Sequence, residues 1–451
     1  MNRGVLDDMT RTDVLAYVET CHTTRLQAER DLLAAAHRWA VLHHPDRHQN
    51  LSLRARERAV PAGAPGTPPI TEYAPSAFGA RIQTSPYGAK RLIADAVDIH
   101  HRLPRLAEGL KAGTTRAGHA RHVAEATREL SADEAAWVDA EVVESADGRL
   151  AWKRFEALVE GKVAAAAPEL AKAKEKASAL ECGIRMRRVN KHGIGTLIIR
   201  EHIASLLGSI GGIDAVARAL EATMPGVGKA ERQLAAFALL TNPDAHPDLH
   251  EHVDLDAGPV KPKVKFTLHL TPDSQIARME GHGPVSIAWV KHLIEHIAGQ
   301  VKVAPVINPA NHAPVDAYEI PAAMREAVHV MHGGDVFPYA ANTTRKVDLD
   351  HTIAYAQGGP TAVGNLAPMT RAHHRIKTHH TEEDRQGQRT GWELRQPFPG
   401  ILVWRDPYGA HYLIDHSGTR QLTSNMTPSG GHELSPAEIY TTQFIVKYLA
   451  A

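Results

Sequence analysis

Apolar residues recur at helical spacing through most of residues 12–242. Residues 12–44 carry this pattern with charged residues in the gaps, and Pro45 ends it. Farther along, Ser131 and Glu134 have the spacing of a capping box, which marks the start of a helix. The pattern predicts a long helix-rich N-terminal region.

Alternation of apolar and polar residues, which indicates strands, becomes frequent later in the chain. Residues 264–272 alternate in this way. Residues 391–424 do so repeatedly, with Pro- and Gly-containing turns between the alternating stretches. This second pattern predicts a tail of antiparallel strands, in which Trp392, Trp404 and Tyr412 form an apolar face.

These patterns divide the chain into six predicted segments. They are an N-terminal helix (1–60), a Pro- and Gly-rich linker or exposed loop (61–75), a helical region (76–260), its mixed α/β continuation (261–330), a small ββα unit (331–390), and a β tail with a C-terminal helix (391–451). The basic stretch 185–192 within the helical region is predicted as a solvated helix end, with a second DNA contact as the alternative.

Composition narrows the class of protein only slightly. The 451 residues include 51 Lys and Arg and 51 Asp and Glu, so a basic surface for nucleic acid has to be local. The two cysteines, Cys21 and Cys182, form no metal-type pair. The N-terminus has no apolar signal core, and no apolar run has the roughly 18 residues of a membrane span. We expect a cytoplasmic protein with no membrane partner, and the sequence does not define its oligomeric state.

Candidate chemistry is concentrated in the stretch DLDHTIAYAQGGPTAVGNLAPMTRAHHRIKTHH, residues 348–380. The residues around His351 alternate as a strand does, and Gly-Gly-Pro follows as a turn. A second strand and the start of a helix come after it. Strand, turn, strand and helix would bring Asp350 and His374 together across a small ββα unit. The predicted fold class is therefore α+β: a long helix-rich N-terminal region, a ββα unit and a short antiparallel β tail.

These residue types suit phosphodiester hydrolysis. Asp350 and a neutral His374 offer ligands for a divalent cation, with Mg²⁺ or Mn²⁺ expected and Ni²⁺ or Zn²⁺ as alternatives. His351, with an ordinary pKa near 6.5, can accept a proton from water as general base. Asn365 can hold the loop of the histidine by hydrogen bonds. Candidate phosphate contacts follow in the predicted helix: Arg371, His373, Arg375 and Lys377.

One geometric condition applies to this site. Asp350 and His351 are consecutive, and consecutive side chains of a regular strand point to opposite faces. A bulge or a twist is therefore needed if both are to address one site. His373 is expected to face solvent, with a phosphate contact as the alternative.

The order of these residues, D-H, then N-L, then H-H-x-x-K-T, resembles the HNH (ββα-metal) endonucleases. The surrounding sequence resembles a narrower group, the 13E12-repeat type proteins of actinobacteria and their phages. These proteins join a DUF222 region to an HNH unit. Part of the sequence that resembles DUF222 is the stretch DAVDIHHRLPRLAEGLKAGTTRAGHARHVAEAT. The resemblance implies a DNA partner, Asp350 and His374 as metal ligands, His351 as general base and Asn365 as the residue that orients the loop.

The sequence departs from this family at the cysteines. Many HNH proteins hold a structural zinc with two cysteine pairs, but Thr370 and His373 stand here where the second pair would fall. The stretch PYAANTTRK has no cysteine for the first pair. A structural zinc of the cysteine type is therefore excluded, and packing of the β tail has to replace it. Two functions stay open: a metal-dependent endonuclease, or a catalytically degenerate HNH module that binds DNA or a partner.

Overall fold

The structure is a computed structural model that describes residues 6–48, 58–187, 192, 194–242, 267–270, 274–280, 283–296, 312–379, 381–383 and 389–422. Contacts between residues define two compact units. Unit 1 joins Met1–Ala166 to Val303–Ala451, and unit 2 is Ala167–Lys302. The mixed α+β class is confirmed, since helices fill the N-terminal part and small antiparallel sheets follow. No helix among the described residues is long and apolar enough to cross a bilayer.

The N-terminal part of unit 1 is an assembly of helices with one short hairpin. The helices are α1 (Arg11–Leu42), α2 (Ala74–Arg81), α3 (Pro86–Arg102), α4 (Pro104–Ala112), α5 (Ala117–Ala126), α6 (Ala132–Val142) and α7 (Trp152–Ala166). The strands are β1 (Ala59–Pro61) and β2 (Pro69–Thr71), which pair antiparallel.

Helix α1 confirms the helix predicted over 12–44. Thr10 and Asp13 cap its N-terminus by accepting hydrogen bonds from each other's backbone amides. Its buried residues, Ala36 among them, lie toward the C-terminal half, where α1 packs against α3. The predicted capping box of Ser131 with Glu134 is also present, at the start of α6.

The segment 60–75 differs from its prediction as a linker or exposed loop. Strand β1 overlaps its first residues, strand β2 lies within it, and Ile70 is only 1 % exposed. The buried carboxylate of Asp98 accepts a 2.6 Å hydrogen bond from the amide of Ala64. The Pro- and Gly-rich segment is therefore a packed hairpin, in which Ala62, Ala64 and Ile70 are buried.

Unit 2 contains helices α8 (Pro168–Ala179), α9 (Ile203–Ala219), α10 (Lys229–Thr241) and α11 (Ile287–His296). Its strands are β3 (Gly183–Arg187), β4 (Thr196–Arg200), β5 (Leu268–His269), β6 (Ile276–Met279) and β7 (Gly283–Ser286). Strands β3 and β4 form one antiparallel pair, and β5, β6 and β7 form a three-stranded sheet.

Strands β3 and β4 correct a helical prediction. The stretch 185–192 was expected to be a helix end, but its first residues extend β3, while 188–191 lie outside the described residues. Strand β4 also lies within residues 12–242, where helical spacing was predicted. Its β-branched pair Ile198 and Ile199 favours extended backbone, which overrides the helical context.

The C-terminal part of unit 1 holds helices α12 (Ala322–His332) and α13 (Arg371–His379). Its strands are β8 (Asp348–His351), β9 (Leu366–Met369), β10 (Thr381–Glu383), β11 (Arg389–Gly391), β12 (Glu393–Phe398), β13 (Ile401–Arg405), β14 (His411–Asp415) and β15 (Gly418–Leu422). Strands β12 to β15 form an antiparallel meander in chain order, which confirms the predicted β tail. The predicted C-terminal helix lies outside the described residues.

The β tail packs against strand β9 through a shared apolar core. Trp404 is fully buried at its centre, and its indole N–H donates to the carbonyl of Val336 at 2.8 Å. The other buried members of this cluster are Ala367, Met369, Leu394, Leu402 and Ile414, with Phe337, Trp392 and Tyr412 at its edge. The expectation that the tail would support the ββα segment by packing agrees with this core.

The N-terminal helices and the C-terminal strands meet directly within unit 1. The amide of Thr419 donates to the carbonyl of Arg149 at 2.8 Å. Gly418 makes this approach feasible, because it has φ +122° and a Cβ there would lie 2.5 Å from the Arg149 oxygen. Arg154 also reaches the carbonyl of Asp335 at 3.4 Å. The candidate site is therefore built on a scaffold that includes the helical region.

Candidate functional site

Two antiparallel strands and a helix carry the residues singled out in 348–380. Strands β8 and β9 pair in continuous register from Asp348 opposite Met369 to His351 opposite Leu366, with no bulge. Helix α13 follows β9 after one residue. In a regular strand Asp348 and Asp350 share one face, and their contacts show that this face is turned toward α13.

The two expected metal ligands lie together. Oδ1 of Asp350 is 3.5 Å from Nε2 of His374. Oδ2 of the same carboxylate pairs with Nζ of Lys377 at 2.6 Å, and that ammonium also donates to the carbonyl of His351 at 2.6 Å. One carboxylate oxygen is thus held by a lysine, and the other faces the imidazole.

Asp348 fixes the orientation of the His374 ring. Its Oδ2 lies 3.1 Å from Nδ1 of His374 and also 3.1 Å from Nε of Arg371. An ionised carboxylate only accepts hydrogen bonds, so Nδ1 carries the hydrogen, and Nε2 is the nitrogen left to serve as a metal ligand. A carboxylate behind a ligating histidine is a recurrent arrangement in metal sites, where it sets the tautomer and raises the basicity of the ring.

The pair Asp350 and His374 passes a simple test of fit for a divalent ion. A lone pair on Nε2 and a carboxylate oxygen repel each other unless a proton or a metal ion lies between them. Two ligands about 2.1 Å from an ion at a tetrahedral angle are about 3.4 Å apart, and in an octahedral site neighbouring ligands are about 3 Å apart. The observed 3.5 Å needs only a small side-chain adjustment. These two residues can therefore hold a metal ion.

His351 lies on the other side of strand β8. It is buried, and its Nε2 is 2.8 Å from Oγ1 of Thr361. That hydroxyl gives its own hydrogen to the carbonyl of Ala317 at 2.6 Å, so Nε2 has to be the donor and Nδ1 keeps the lone pair. The rings of Tyr318 and Tyr355 flank the imidazole, with centroids 5.7 and 5.9 Å away.

The pKa of His351 is lowered from its ordinary value chiefly by burial, and the nearby Lys377 ammonium lowers it further while Asp350 raises it. The imidazole is therefore neutral at pH 7. Among the described residues no hydrogen bond joins its ring to Asp350 or His374. The strand is regular, so the bulge that would turn His351 and Asp350 toward one point is absent from β8.

Asn365 closes the turn between the two strands. Its Oδ1 accepts from the Thr352 hydroxyl at 2.6 Å and from the amide of Ile353 at 2.8 Å. Its Nδ2 donates to the carbonyls of Ile353 and Pro360 at 3.0 and 2.8 Å. The side chain is buried and fully hydrogen-bonded, which is the loop-holding geometry expected for it.

His373 differs from its expected place at the surface. Its Nδ1 lies 2.6 Å from Oδ2 of the buried Asp335, and its ring stacks on Phe337 with centroids 4.3 Å apart. The same carboxylate oxygen accepts from the amide of Thr370 at 2.8 Å. The ring is partly buried, and 27 % of the side chain stays exposed. Hydrogen bonds to Asp335 instead tie together the two positions, 370 and 373, where a zinc-binding pair would fall.

The remaining expected phosphate contacts lie on α13. Arg371 and Arg375 are exposed and four residues apart, so they share one face of the helix. Arg371 pairs with Asp348, but its side chain stays 76 % exposed. Lys377 is largely buried against Asp350. Two arginines are thus accessible to a polyanion beside the Asp350 and His374 pair.

Two positioning residues, Asp348 and Thr361, were not found from the sequence. A signal for Asp348 exists, since it lies two residues before Asp350 and must share its face in a strand. No local signal marks Thr361. It lies ten residues beyond His351, and only the fold of the turn brings them together.

Comparison with known proteins finds similarity within the helix-rich part of the chain. Residues 26–197 match the family described as Domain of unknown function (DUF222). A segment of 128 residues, 28 % of this chain, is 30 % identical to an uncharacterized protein of Mycobacterium tuberculosis and covers 22 % of that protein. The matched segment thus spans about a fifth of the length of that relative. No solved structure matches the chain. The family match ends before residue 348, so the function of the candidate site is argued from its geometry.

Proposed function

We propose that this protein is a metal-dependent endonuclease of the HNH type that hydrolyses phosphodiester bonds in DNA. The observation that supports it most is the convergence of Asp350 and His374 at 3.5 Å, with Asp348 holding His374 in the tautomer of a metal ligand. The fold of strand, strand and helix supplies that convergence from residues 24 positions apart in the chain.

Asp350 Oδ1 and His374 Nε2 would hold the divalent ion. When bound, the ion would supply a positive charge that stabilises the phosphate and the leaving oxygen as negative charge develops on them. Arg371 and Arg375 would hold the backbone of DNA against α13 by contacts with phosphates.

His351 would act as general base. Its Nδ1 takes a proton from water as the water oxygen forms a bond to phosphorus and the bond to the leaving sugar oxygen breaks. Thr361 accepts the hydrogen of Nε2 and so keeps the lone pair at Nδ1. Because β8 is regular, His351 and Asp350 face opposite sides of the strand, so the scissile phosphate would have to extend from one side to the other.

A second candidate function rests on a specific observation. Lys377 neutralises Asp350 at 2.6 Å, and His351 is only 5 % exposed on the opposite side of the strand. Both features suit a module that keeps the fold and binds DNA or a partner without cutting. In that alternative, Lys377 stands in the place of a metal ion as the partner of Asp350.

Plasmid cleavage in Mg²⁺, Mn²⁺ or Ni²⁺ tests the proposal and separates the two candidates. We expect the wild-type protein to nick or linearise plasmid and His351→Ala to lose the activity by about 10²- to 10⁴-fold, the range of a general base. His416→Ala, at an exposed turn of unit 1, is the matched control and should cleave as wild type does.

The outcomes are distinct. Cleavage that survives in His351→Ala contradicts the role of His351. If no metal supports cleavage and the protein still shifts DNA in a gel, the binding module is the correct function.

A further inference from the structure

Three histidines converge between helices α1 and α3, in a part of the chain that is distant in sequence from the proposed nuclease site. His37 on α1 stacks on His100 of α3, with ring centroids 3.8 Å apart, and His101 lies next to both. One ligand nitrogen from each ring lies within 4.8 Å of the other two. This group falls within the residues that match DUF222.

His37 has a polar atom that the fold leaves unsatisfied. Its Nε2 is buried and has no hydrogen-bond partner among the described residues. Buried polar atoms without a partner are uncommon in folded proteins, since they lose hydration without compensation. A bound ion would give this nitrogen a partner.

We propose that His37, His100 and His101 form a binding site for one transition-metal ion of the Zn²⁺, Ni²⁺ or Cu²⁺ type. Nitrogens about 2.1 Å from a common ion are at most about 4.2 Å apart, so the stacked rings of His37 and His100 have to separate and the exposed side chains of His100 and His101 have to rotate to close the site. Imidazole ligands suit these ions and not Mg²⁺ or Ca²⁺, which prefer oxygen.

The positive charges near His37 further limit which ions can bind. Lys111 and Arg38 carry positive charges near His37, and they oppose any cation. Affinity must therefore come from coordination by nitrogen, which again favours Zn²⁺, Ni²⁺ or Cu²⁺. Three protein ligands leave one coordination position for water or another ligand. The ion would link α1 to α3 and so stabilise the helical part of unit 1.

Calorimetric titration with Zn²⁺ tests this site apart from the nuclease site. The starting protein is the full chain with Asp350→Ala and His374→Ala, which removes the other proposed ligands. We expect it to bind one equivalent of Zn²⁺ that His37→Gln abolishes. His22→Gln, an exposed histidine on the same helix, is the matched control and should keep that equivalent.

Two further measurements keep the test decisive if His37→Gln perturbs the fold. His101→Gln changes an exposed residue and should weaken Zn²⁺ binding at least tenfold, with circular dichroism unchanged. The melting temperature of the starting protein should rise with Zn²⁺, and that of His101→Gln should not.

Three results would overturn the proposal. The first is that the starting protein binds no Zn²⁺, and the second is that both glutamine variants bind it as the starting protein does. The third is that Cys182→Ser removes the equivalent, because Cys182, Glu201 and His202 form another group able to hold an ion.

Discussion

At the scale of single residues, the candidate site depends on which ring nitrogen carries the hydrogen. Asp348 accepts from Nδ1 of His374 and leaves Nε2 facing Asp350, 3.5 Å away. Thr361 accepts from Nε2 of His351 and leaves Nδ1 as the basic atom. In the proposed mechanism, these two polar side chains leave His374 one nitrogen for the metal ion and His351 one nitrogen for the proton of water.

The first prediction concerns Asp348. Asp348→Asn keeps the shape of the side chain but removes its negative charge, so Mn²⁺ affinity should fall about 10- to 100-fold, the usual effect of losing the partner of a ligating histidine. Titration calorimetry measures it. Asp316→Asn, at an exposed carboxylate of the same unit, is the control and should bind as wild type does. Equal affinity in Asp348→Asn would contradict the role of Asp348.

The second prediction concerns Thr361, which is fully buried. Thr361→Val keeps the volume and removes the acceptor for Nε2, so the cleavage rate should fall roughly 10- to 100-fold, part of what a general base supplies. Thr361→Ser restores the hydroxyl and should recover most of the rate. If Thr361 had a purely structural role, Thr361→Ser would leave a small cavity. It would then lower both kcat and the melting temperature at least as much as Thr361→Val does.

The chemistry of these residues was partly predictable. Residue type and spacing predicted that Asp350 and His374 lie together and that Asn365 holds the turn, and the structure shows both arrangements. They did not predict that His351 faces the other side of the strand. His373 was placed wrongly, because its inward position depends on Asp335, 38 residues earlier. Thr361 was missed for the same reason, since a contact made by tertiary folding leaves no periodic signal in the sequence.

At the scale of elements, the turn between β8 and β9 is held by one side chain. Asn365 makes four hydrogen bonds to three residues of this loop, at 2.6–3.0 Å. Two of its partners belong to Ile353, two residues after His351. The loop and the proposed general base are therefore positioned together.

The third prediction follows from this arrangement. Asn365→Ala leaves several buried polar groups without partners, each costing about 1–3 kcal/mol, so the free energy of unfolding should fall by at least that much. Urea denaturation measures it. Asn242→Ala, at an exposed position after helix α10, should change stability by no more than about 0.5 kcal/mol. An equally small change in Asn365→Ala would show that the loop does not depend on this amide.

Elements with long, regular patterns were predicted well, and short ones were not. Helix α1 is long enough for its apolar spacing to repeat many times. In the four strands of the tail, alternating stretches are separated by turn sequences, so both patterns are unambiguous. Strands β3 and β4 have five residues each and follow a long helical stretch. Hairpin β1–β2 is shorter still and rich in Pro, so its packing depends on the buried partner Asp98.

At the scale of the whole molecule, unit 1 brings together parts of the chain separated by more than a hundred residues. The contacts of Arg149 and Arg154 with the C-terminal strands place the helical region and the candidate site in one compact body. The sequence patterns suggested separate segments, because periodicity reports local structure and carries no information on which segments pack together.

The fourth prediction concerns acid stability. Burial lowers the pKa of His332 to about 4, against 6.5 when unfolded. Below pH 6.5 this histidine becomes protonated in the unfolded chain, but in the folded protein it stays neutral until about pH 4. The free energy of unfolding therefore falls as the pH drops from 6.5 to 4, by about 3 kcal/mol at most. Denaturation curves from pH 7 to 4 should show a shallower loss in His332→Asn. His416→Asn, an exposed control, should follow wild type, and identical slopes in all three proteins would contradict the assignment.

The location of a bound ion tests the central claim most directly. Crystals soaked in Mn²⁺ and measured near its absorption edge should give an anomalous peak within about 2.4 Å of both Asp350 Oδ1 and His374 Nε2. The peak should vanish in His374→Ala. A protein that cleaves DNA in Mn²⁺, yet shows no peak between these two residues and keeps Lys377 on Asp350, would contradict the proposed metal site.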